Sequence, residues 1–308
     1  MPPPMTTKVV LAGGRGLLGS ALAQQLIQTG AEVVVLSRSP REDTAVREVL
    51  WNGETGGAWT AELEGAVALV NFAGRNLNCV FTLENSREIL ESRVNAVRAL
   101  GKAVAKCKQQ PAVWVQCSAT GYYGNTGLGL CDEDSPLGQD FLATVCRQWE
   151  DALAALELEE TRRVVLRLGT VLSRQGGAYP PLARLARRFL GGTVGSGQQG
   201  FSWVHVDDAV AAFGQAIGRT DMTGAYNVCA PEPATNADFM RALRQSLGRP
   251  WAPAAPAFVV KLAAQHLMET DPQLVLGGRG CAPTRLLVQE FPFKFSDLTS
   301  ALRDLAKW

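Results

Sequence analysis

An α/β fold, built as a doubly wound parallel sheet with a smaller C-terminal substrate lobe, is predicted by three observations. Apolar runs of strand length alternate with segments of helical period, a glycine-rich turn follows the first run, and the alternation breaks into a Gly- and Pro-rich region after about residue 170. The expected strands are residues 8–12, 32–36, 67–72, 113–118 and 164–168. Each is free of proline and rich in Val or Leu, as strands covered on both faces must be. Helical periodicity places helices between them at 17–28, 86–105 and 142–156. Repeated βαβ units joined by right-handed crossovers then give the doubly wound, Rossmann-type arrangement.

Beyond residue 170 the pattern changes. Residues 176–200 carry a basic helix (182–190) followed by GGTVGSGQQG, an excursion from the sheet rather than another βαβ repeat. A strand at 201–206, a helix from Asp207, a short strand at 225–228 and a helix from Asn236 follow. The end of the chain holds WAPAAPAF, a helical stretch and an amphipathic helix beginning near Ser296. The expected organisation is a loose tail over 1–7, a nucleotide-binding domain mainly over 8–175 with sheet contributions from 201–230, and a substrate lobe and tail domain mainly over 176–308. A substrate cleft is expected between them.

Charge and composition narrow the function classes. The 308 residues include 30 basic and 29 acidic side chains, so the net charge of +1 excludes a protein that coats nucleic acid or an anionic membrane. The seven cysteines are scattered without a CxxC pair, and only two histidines accompany them. No disulfide framework and no metal site is expected, and a reducing compartment fits. The opening MPPPMTT lacks a charged and then apolar leader, and no 18-residue apolar run occurs, so a cytoplasmic protein without a membrane span is expected.

Gly14-Arg15-Gly16-Leu17-Leu18-Gly19, preceded by Gly13, matches GxGxxG between a strand and a helix, the context a Rossmann-type dinucleotide site requires. Glycine permits the tight turn and lets backbone approach a pyrophosphate, which the helix N-terminus then faces. An NAD site usually adds an acid about 20 residues past the glycines to bind the ribose hydroxyl. Here the second strand runs into Ser37-Arg38-Ser39, with no acid before Glu42. A guanidinium in place of a carboxylate favours the 2′-phosphate of NADP (NADPH when reduced), the bland alternative being a solvated loop arginine.

Together with the glycine motif, Asn71-Phe72-Ala73-Gly74, Ser92-Arg93-Val94-Asn95 and Ser118-Ala119-Thr120-Gly121-Tyr122-Tyr123-Gly124 resemble the short-chain dehydrogenase/reductase superfamily. More narrowly, the chain resembles its atypical, SulA-like branch, also called nucleoside-diphosphate-sugar epimerase-like. Arg167-Leu168-Gly169-Thr170, Trp203-Val204-His205-Val206-Asp207-Asp208 and the tail LVLGGRG extend the resemblance over nearly the whole chain. The resemblance implies cofactor contacts from Gly13–Gly19, Ser37, Arg38 and Ser39 around the adenosine phosphate, and Phe72, Ala73 and Gly74 beside the pyrophosphate. It further implies Glu88 and Arg93 lining the groove, and Cys117, Ser118 and Val171 on the nicotinamide side.

Hydride-transferring members of that superfamily use a Tyr with a Lys four residues later, because a phenol near pKa 10 needs an adjacent cation to exchange protons at neutral pH. The corresponding helix here has Leu142 and Cys146 at those positions and contains neither Tyr nor Lys. Ser118, Thr120 and Tyr122 remain as catalytic candidates, although an aromatic pair such as Tyr122 and Tyr123 after a buried strand is more often a packed floor beneath the substrate. His205 reads either as a titrating group or as a structural histidine between the lobes. Asp207 or Asp208 reads as a helix cap, and Cys117 and Cys146 as small buried residues. Arg184, Arg187 and Arg188 form a solvated face or bind an anionic substrate such as a diphosphate. Two functions remain open. One is an NADP-dependent, epimerase-like oxidoreductase acting on a small polar substrate, with nucleotide- or sugar-linked compounds among the options; the other is a non-catalytic NADP(H)-binding sensor. The expected partners are that small molecule alone, with the chain a monomer or a homodimer.

Overall fold

The computed structural model describes residues 7–42, 45–127, 129–266 and 270–307. Of the expected N-terminal tail, residues 1–6 lie outside the described residues. In chain order the N-terminal half contains β1 (Lys8–Ala12), α1 (Leu17–Gln28), β2 (Glu32–Ser37), β3 (Arg47–Leu50), β4 (Ala68–Asn71), α2 (Leu83–Val104), β5 (Val113–Ala119), β6 (Leu130–Cys131), α3 (Phe141–Ala154) and β7 (Arg162–Leu168). There follow β8 (Thr170–Ser173), β9 (Gly176–Gly177), α4 (Tyr179–Arg187), β10 (Trp203–His205), α5 (Val206–Gly218), β11 (Gly224–Val228) and α6 (Asn236–Ser246). The tail adds α7 (Ala257–His266), α8 (Pro272–Leu276), β12 (Gly280–Cys281), α9 (Thr284–Val288) and α10 (Leu298–Ala306). None of the described helices is long and apolar enough to cross a membrane.

The main sheet runs β11-β7-β5-β4-β1-β2-β3, with every pair parallel. Strand order reverses at β1, which is flanked by β2 on one side and β4 on the other. Ligands in open α/β sheets bind at such a switch point, beyond the carboxyl ends of the strands. Alternation within each strand feeds two cores. Val9, Leu11, Val35, Val115 and Phe213 bury one face with α1 and α5. Val10, Val34, Leu69, Trp114 and Leu100 bury the other beneath α2 and α3. Each fully buried Val or Leu contributes about 1.5–3 kcal/mol, which is why these strands show in the sequence as continuous apolar runs.

Boundaries differ from expectation where a cap, rather than periodicity, decides them. α2 begins at Leu83 instead of 86 because the Thr82 side chain accepts from the Asn85 N–H. Asp140 likewise starts α3 at Phe141 by accepting from Ala143. The basic helix expected at 182–190 is displaced to Tyr179–Arg187, since prolines at the first helical positions start a helix rather than break it. The strand expected at 201–206 is reduced to Trp203–His205, because the His205 ring caps α5 through the Asp207 N–H; the cap expected at Asp207 or Asp208 is therefore His205 itself. Strand β3 has no counterpart among the expected strands: its REVL holds few apolar residues and forms a half-exposed sheet edge.

The C-terminal residues complete the fold rather than standing apart. Tyr179, Trp203, Phe239, Phe295 and Leu302 bury a third core shared by α4, α6 and α10. β12 pairs in parallel with β6, carrying the tail against the carboxyl end of the main sheet.

Candidate functional site

The glycine turn is built from three different constraints. Gly13 has φ +72°, and a Cβ there would lie 2.9 Å from the Ala73 backbone, so no side chain fits. A Cβ on Gly19 would lie 2.4 Å from the Gly14 carbonyl oxygen, so only glycine lets α1 pack directly on the turn. Gly16 is the opposite case, since a Cβ there would meet nothing within 4 Å. Gly16 also occupies the cap position of α1 without any side-chain cap, so the first N–H groups of the helix face open space. That uncapped positive end is the cradle a pyrophosphate needs.

A cavity of about 900 Å³ opens in front of this turn. Gly13, Arg15, Gly16, Ser37, Arg38 and Ser39 line one side, and Phe72, Ala73, Gly74 and Glu88 the other. Asn71 shapes the second side, its amide donating to Gln116 at 3.0 Å while its carbonyl oxygen accepts from the Ala73 N–H at 3.0 Å. Ser37 is buried and accepts from the Ser39 N–H at 3.2 Å, which turns the chain at the end of β2. Arg15 is held by the Ser39 carbonyl and lies 3.8 Å from Glu48, and Glu88 pairs with Arg75. Arg38 has no ion-pair partner among the described residues. The exposed guanidinium at the end of β2 is thus available for a phosphate, and these residues fit a dinucleotide carrying one there.

The remaining expected contacts are placed differently. Arg93 is buried beneath Gly74, donates to the Ile89 carbonyl at 2.8 Å and lies over the Trp149 ring. It supports the loop from below and does not line the cavity. Leu18, Cys117 and Val171 pack half-buried against the apolar core, and Leu17 is half-buried beside Gly176. Several lining residues escape the sequence reading, among them Trp51, Asn52, Glu54, Arg75 and Glu91. Trp51 reaches the cavity from beyond β3, where no motif marks it, whereas Arg75 directly follows the Asn71–Gly74 motif and so carries a usable signal.

At the ends of β5, β7 and β11 lies a buried polar network. Ser118 donates to the Glu150 carboxylate at 2.6 Å, and Arg167 binds the same carboxylate through Nε at 3.0 Å and a terminal nitrogen at 2.8 Å. Arg167 also donates to the Tyr123 hydroxyl at 3.0 Å, which itself donates to Asn227 at 2.8 Å. Burial opposes the Arg167 charge, but Glu150 outweighs it and holds its pKa above the usual value. Burial likewise pushes the Tyr123 phenol well up, so Tyr123 is a structural member of the network. Tyr122 stacks on the Arg167 guanidinium at 3.4 Å, and among the described residues its hydroxyl has no hydrogen-bond partner. Thr120 is buried at the end of the strand.

Leu142 and Cys146 are both buried, and the Cys146 thiol contacts the Ala119 carbonyl at 3.7 Å. Burial pushes the thiols of Cys117, Cys146 and Cys281 up to about 12. At about pH 8 such a thiol is ionised in roughly one molecule in ten thousand, too little for a nucleophile. Native alkylation with iodoacetamide at that pH is therefore expected to leave these three cysteines unmodified, while alkylation in urea labels all of them. Peptide mass spectrometry checks this, and rapid native labelling of Cys146 would show an accessible thiol instead.

The other candidates lie away from the cavity. Arg184 and Arg188 are exposed on and just after α4, Arg187 is half-buried, and none of them lines the glycine-turn cavity. His205 is buried against the Phe295 ring at 4.0 Å, and Asp208 binds the tail by accepting from the Lys294 and Phe295 N–H groups.

The sequence model of the NAD dependent epimerase/dehydratase family matches residues 9–229, and a domain of unknown function, DUF1731, matches residues 255–305. Epimerase family protein SDR39U1 of Bos taurus is 35% identical over 303 residues, covering 97% of this chain and 99% of its own. Epimerase family protein YfhF of Bacillus subtilis is 32% identical, covering 96% of this chain and 97% of its own. The crystal structure of human SDR39U1 (isoform 2) with NADPH superposes with a TM-score of 0.87 at 32% identity, covering 97% of this chain and 99% of that one.

Proposed function

This chain belongs to the NAD dependent epimerase/dehydratase family, and on that premise we propose that it is an NADP(H)-dependent oxidoreductase acting on a small polar substrate without the usual Tyr–Lys pair. The observation that carries the reading is the cavity before the glycine turn, where Arg38 has no ion-pair partner among the described residues and the end of β2 reads Ser37-Arg38-Ser39 with no acid before Glu42. The human relative was crystallised with NADPH, in agreement with that cofactor choice.

When bound, the cofactor supplies or accepts a hydride. The N–H groups at the start of α1 would hold its pyrophosphate, and Ser37, Arg38 and Ser39 the 2′-phosphate. Ser118 already donates its proton to Glu150, and Tyr123 donates to Asn227, so neither is free to give a proton to a substrate carbonyl. Of the remaining candidates, the Thr120 hydroxyl is buried beside the Cys281 thiol, whereas that of Tyr122 has no hydrogen-bond partner among the described residues, and we assign Tyr122 the proton-donor role. Tyr122→Phe is expected to abolish NADPH consumption against a responsive carbonyl or nucleotide-sugar substrate while leaving cofactor affinity unchanged. Turnover that survives the substitution would remove Tyr122 from the reaction.

The committed Ser118 and Tyr123 hydroxyls favour a second reading, in which cofactor occupancy is itself the output and no substrate turns over. A screen of carbonyl compounds and nucleotide sugars, followed by NADPH absorbance, separates the two. Cofactor choice is tested first by thermal unfolding. NADPH is expected to raise the Tm well beyond NADH, and Arg38→Ala to weaken NADPH binding about 10- to 100-fold, the loss of one or two charge-assisted hydrogen bonds. Equal stabilisation by both cofactors would exclude the 2′-phosphate site.

A further inference from the structure

Arg279 of the tail differs from the buried arginines Arg93 and Arg167. Arg93 donates to the Ile89 carbonyl, and Arg167 to Glu150 and Tyr123. The Arg279 side chain is only 15% exposed, yet its guanidinium donates to no acceptor among the described residues. Its Nε is sealed from solvent without a partner, whereas the two terminal nitrogens stay open. Its ion pair with Asp140, at 3.7 Å, is too long for a hydrogen bond. A guanidinium carries five donors, and holding them unmet inside a protein is costly unless an acceptor arrives. The surroundings are those of the candidate site. Asp140 caps α3, and a Cβ on Gly124 would lie 3.3 Å from the carboxylate oxygen that faces Arg279. Gly124 ends the turn that carries Tyr122 and Tyr123. The Arg279 charge also acts on the thiol of Cys146, at the position on α3 where a lysine is missing. Phe141, next to Asp140, stacks on Phe81 at 5.0 Å, and Asp271 of the tail accepts from the Phe81 N–H at 3.1 Å.

We propose that Arg279 selects the substrate by binding a carboxylate on the carbonyl compound that Tyr122 protonates, so that the substrate is an oxo acid. The assignment rests on the oxidoreductase reading above and names its substrate class. Two open terminal nitrogens match the two oxygens of a carboxylate, the planar fork-to-fork pairing that suits arginine. A phosphate dianion suits the place less. The guanidinium already shares its charge with Asp140, and no other cation pairs with that acid among the described residues. One positive charge beside one negative charge leaves room for a single further anion at most. A neutral compound would leave the donors as idle as before. The half-buried rings of Phe81 and Phe141 lie beside the start of α3 and supply apolar surface for the carbon chain of such an acid.

The test is calorimetry on the NADP⁺-loaded chain, in which the 2′-phosphate site is filled and no carbonyl can be reduced. Pyruvate, levulinate, their methyl esters and hydroxyacetone phosphate are titrated separately. Saturable binding of at least one oxo acid is expected, with its ester and the phosphate about tenfold weaker or worse, the loss of a charge-assisted contact. Arg279→Met is expected to weaken the acid by a similar factor while its Tm without ligand matches or exceeds that of the parent. The side chain has no protein hydrogen bond to lose, and Asp140, 24% exposed, keeps its cap on α3. A structural arginine would behave in the opposite way. No saturable binding of either acid, an ester bound as tightly, tighter binding of the phosphate, full affinity in Arg279→Met, or a Tm several degrees lower in that variant would each overturn the proposal. Repeating the titration on cofactor-free Arg38→Ala should give the same order of affinities, so the outcome does not depend on the cofactor assignment. Acid binding that is lost in Arg279→Met, without any NADPH consumption, would remove the oxidoreductase reading and leave the carboxylate site standing.

Discussion

Replacing Glu150 with alanine is expected to lower the unfolding free energy by about 3–5 kcal/mol, because it strands a buried cation. The Arg167 side chain is 7% exposed and that of Glu150 12%. Without the carboxylate, Arg167 keeps only the Tyr123 hydroxyl and the Tyr122 ring, and Ser118 loses its acceptor. Breaking an exposed pair costs far less: Arg87–Glu91, one helical turn apart on α2 with both side chains more than half exposed, contributes about 0.3–0.5 kcal/mol. Replacing both partners, as in Glu150→Leu with Arg167→Met, should recover much of the loss, since an apolar pair leaves no charge unpaired. Urea unfolding checks both variants, with the midpoint shifting and the slope unchanged. A cost for Glu150→Ala near that of the Arg87–Glu91 pair would mean that solvent already reaches Arg167.

The same network shows what a single sequence discloses and what it withholds. β1, β2, β4, β5 and β7 are legible because both their faces are buried, so that nearly every position must be apolar. β3, β6, β9 and β12 are too short or too exposed to impose such a pattern. The glycine turn is legible because its steric demands exclude side chains at fixed spacing. Ser118 could be singled out by its place at a strand end, but not its commitment to Glu150, which lies 32 residues away on α3. Arg167 is 17 residues further along the chain and meets Glu150 only through the packing of β7 beside β5. Chemistry set by such pairings has no period, and the burial of His205 against Phe295 of the tail is hidden for the same reason.

Gly19→Ala is expected to remove measurable NADPH binding while costing about 1–3 kcal/mol of stability, the usual range for forcing one extra methyl into a packed site. The added Cβ would lie 2.4 Å from the Gly14 carbonyl oxygen and 2.5 Å from its Cα. Both are backbone atoms, so no side-chain rotation relieves the contact. Relief requires α1 to move away from the turn, carrying the N–H groups that face the pyrophosphate out of register with Gly16 and Arg38. The fold should survive, because Leu22 and Ala23 still anchor α1 in the core. Gly16→Ala provides the contrast: its Cβ meets nothing in the protein, so stability should hold and only the space for the ligand is reduced. Thermal unfolding with and without NADPH distinguishes the variants. Gly19→Ala should unfold at a lower temperature and gain nothing from the cofactor, whereas Gly16→Ala should match the parent without cofactor and gain less with it. A Gly19→Ala protein stabilised by NADPH as strongly as the parent would show that α1 and the turn can separate without loss of the site, and that the helix N-terminus does not hold the pyrophosphate.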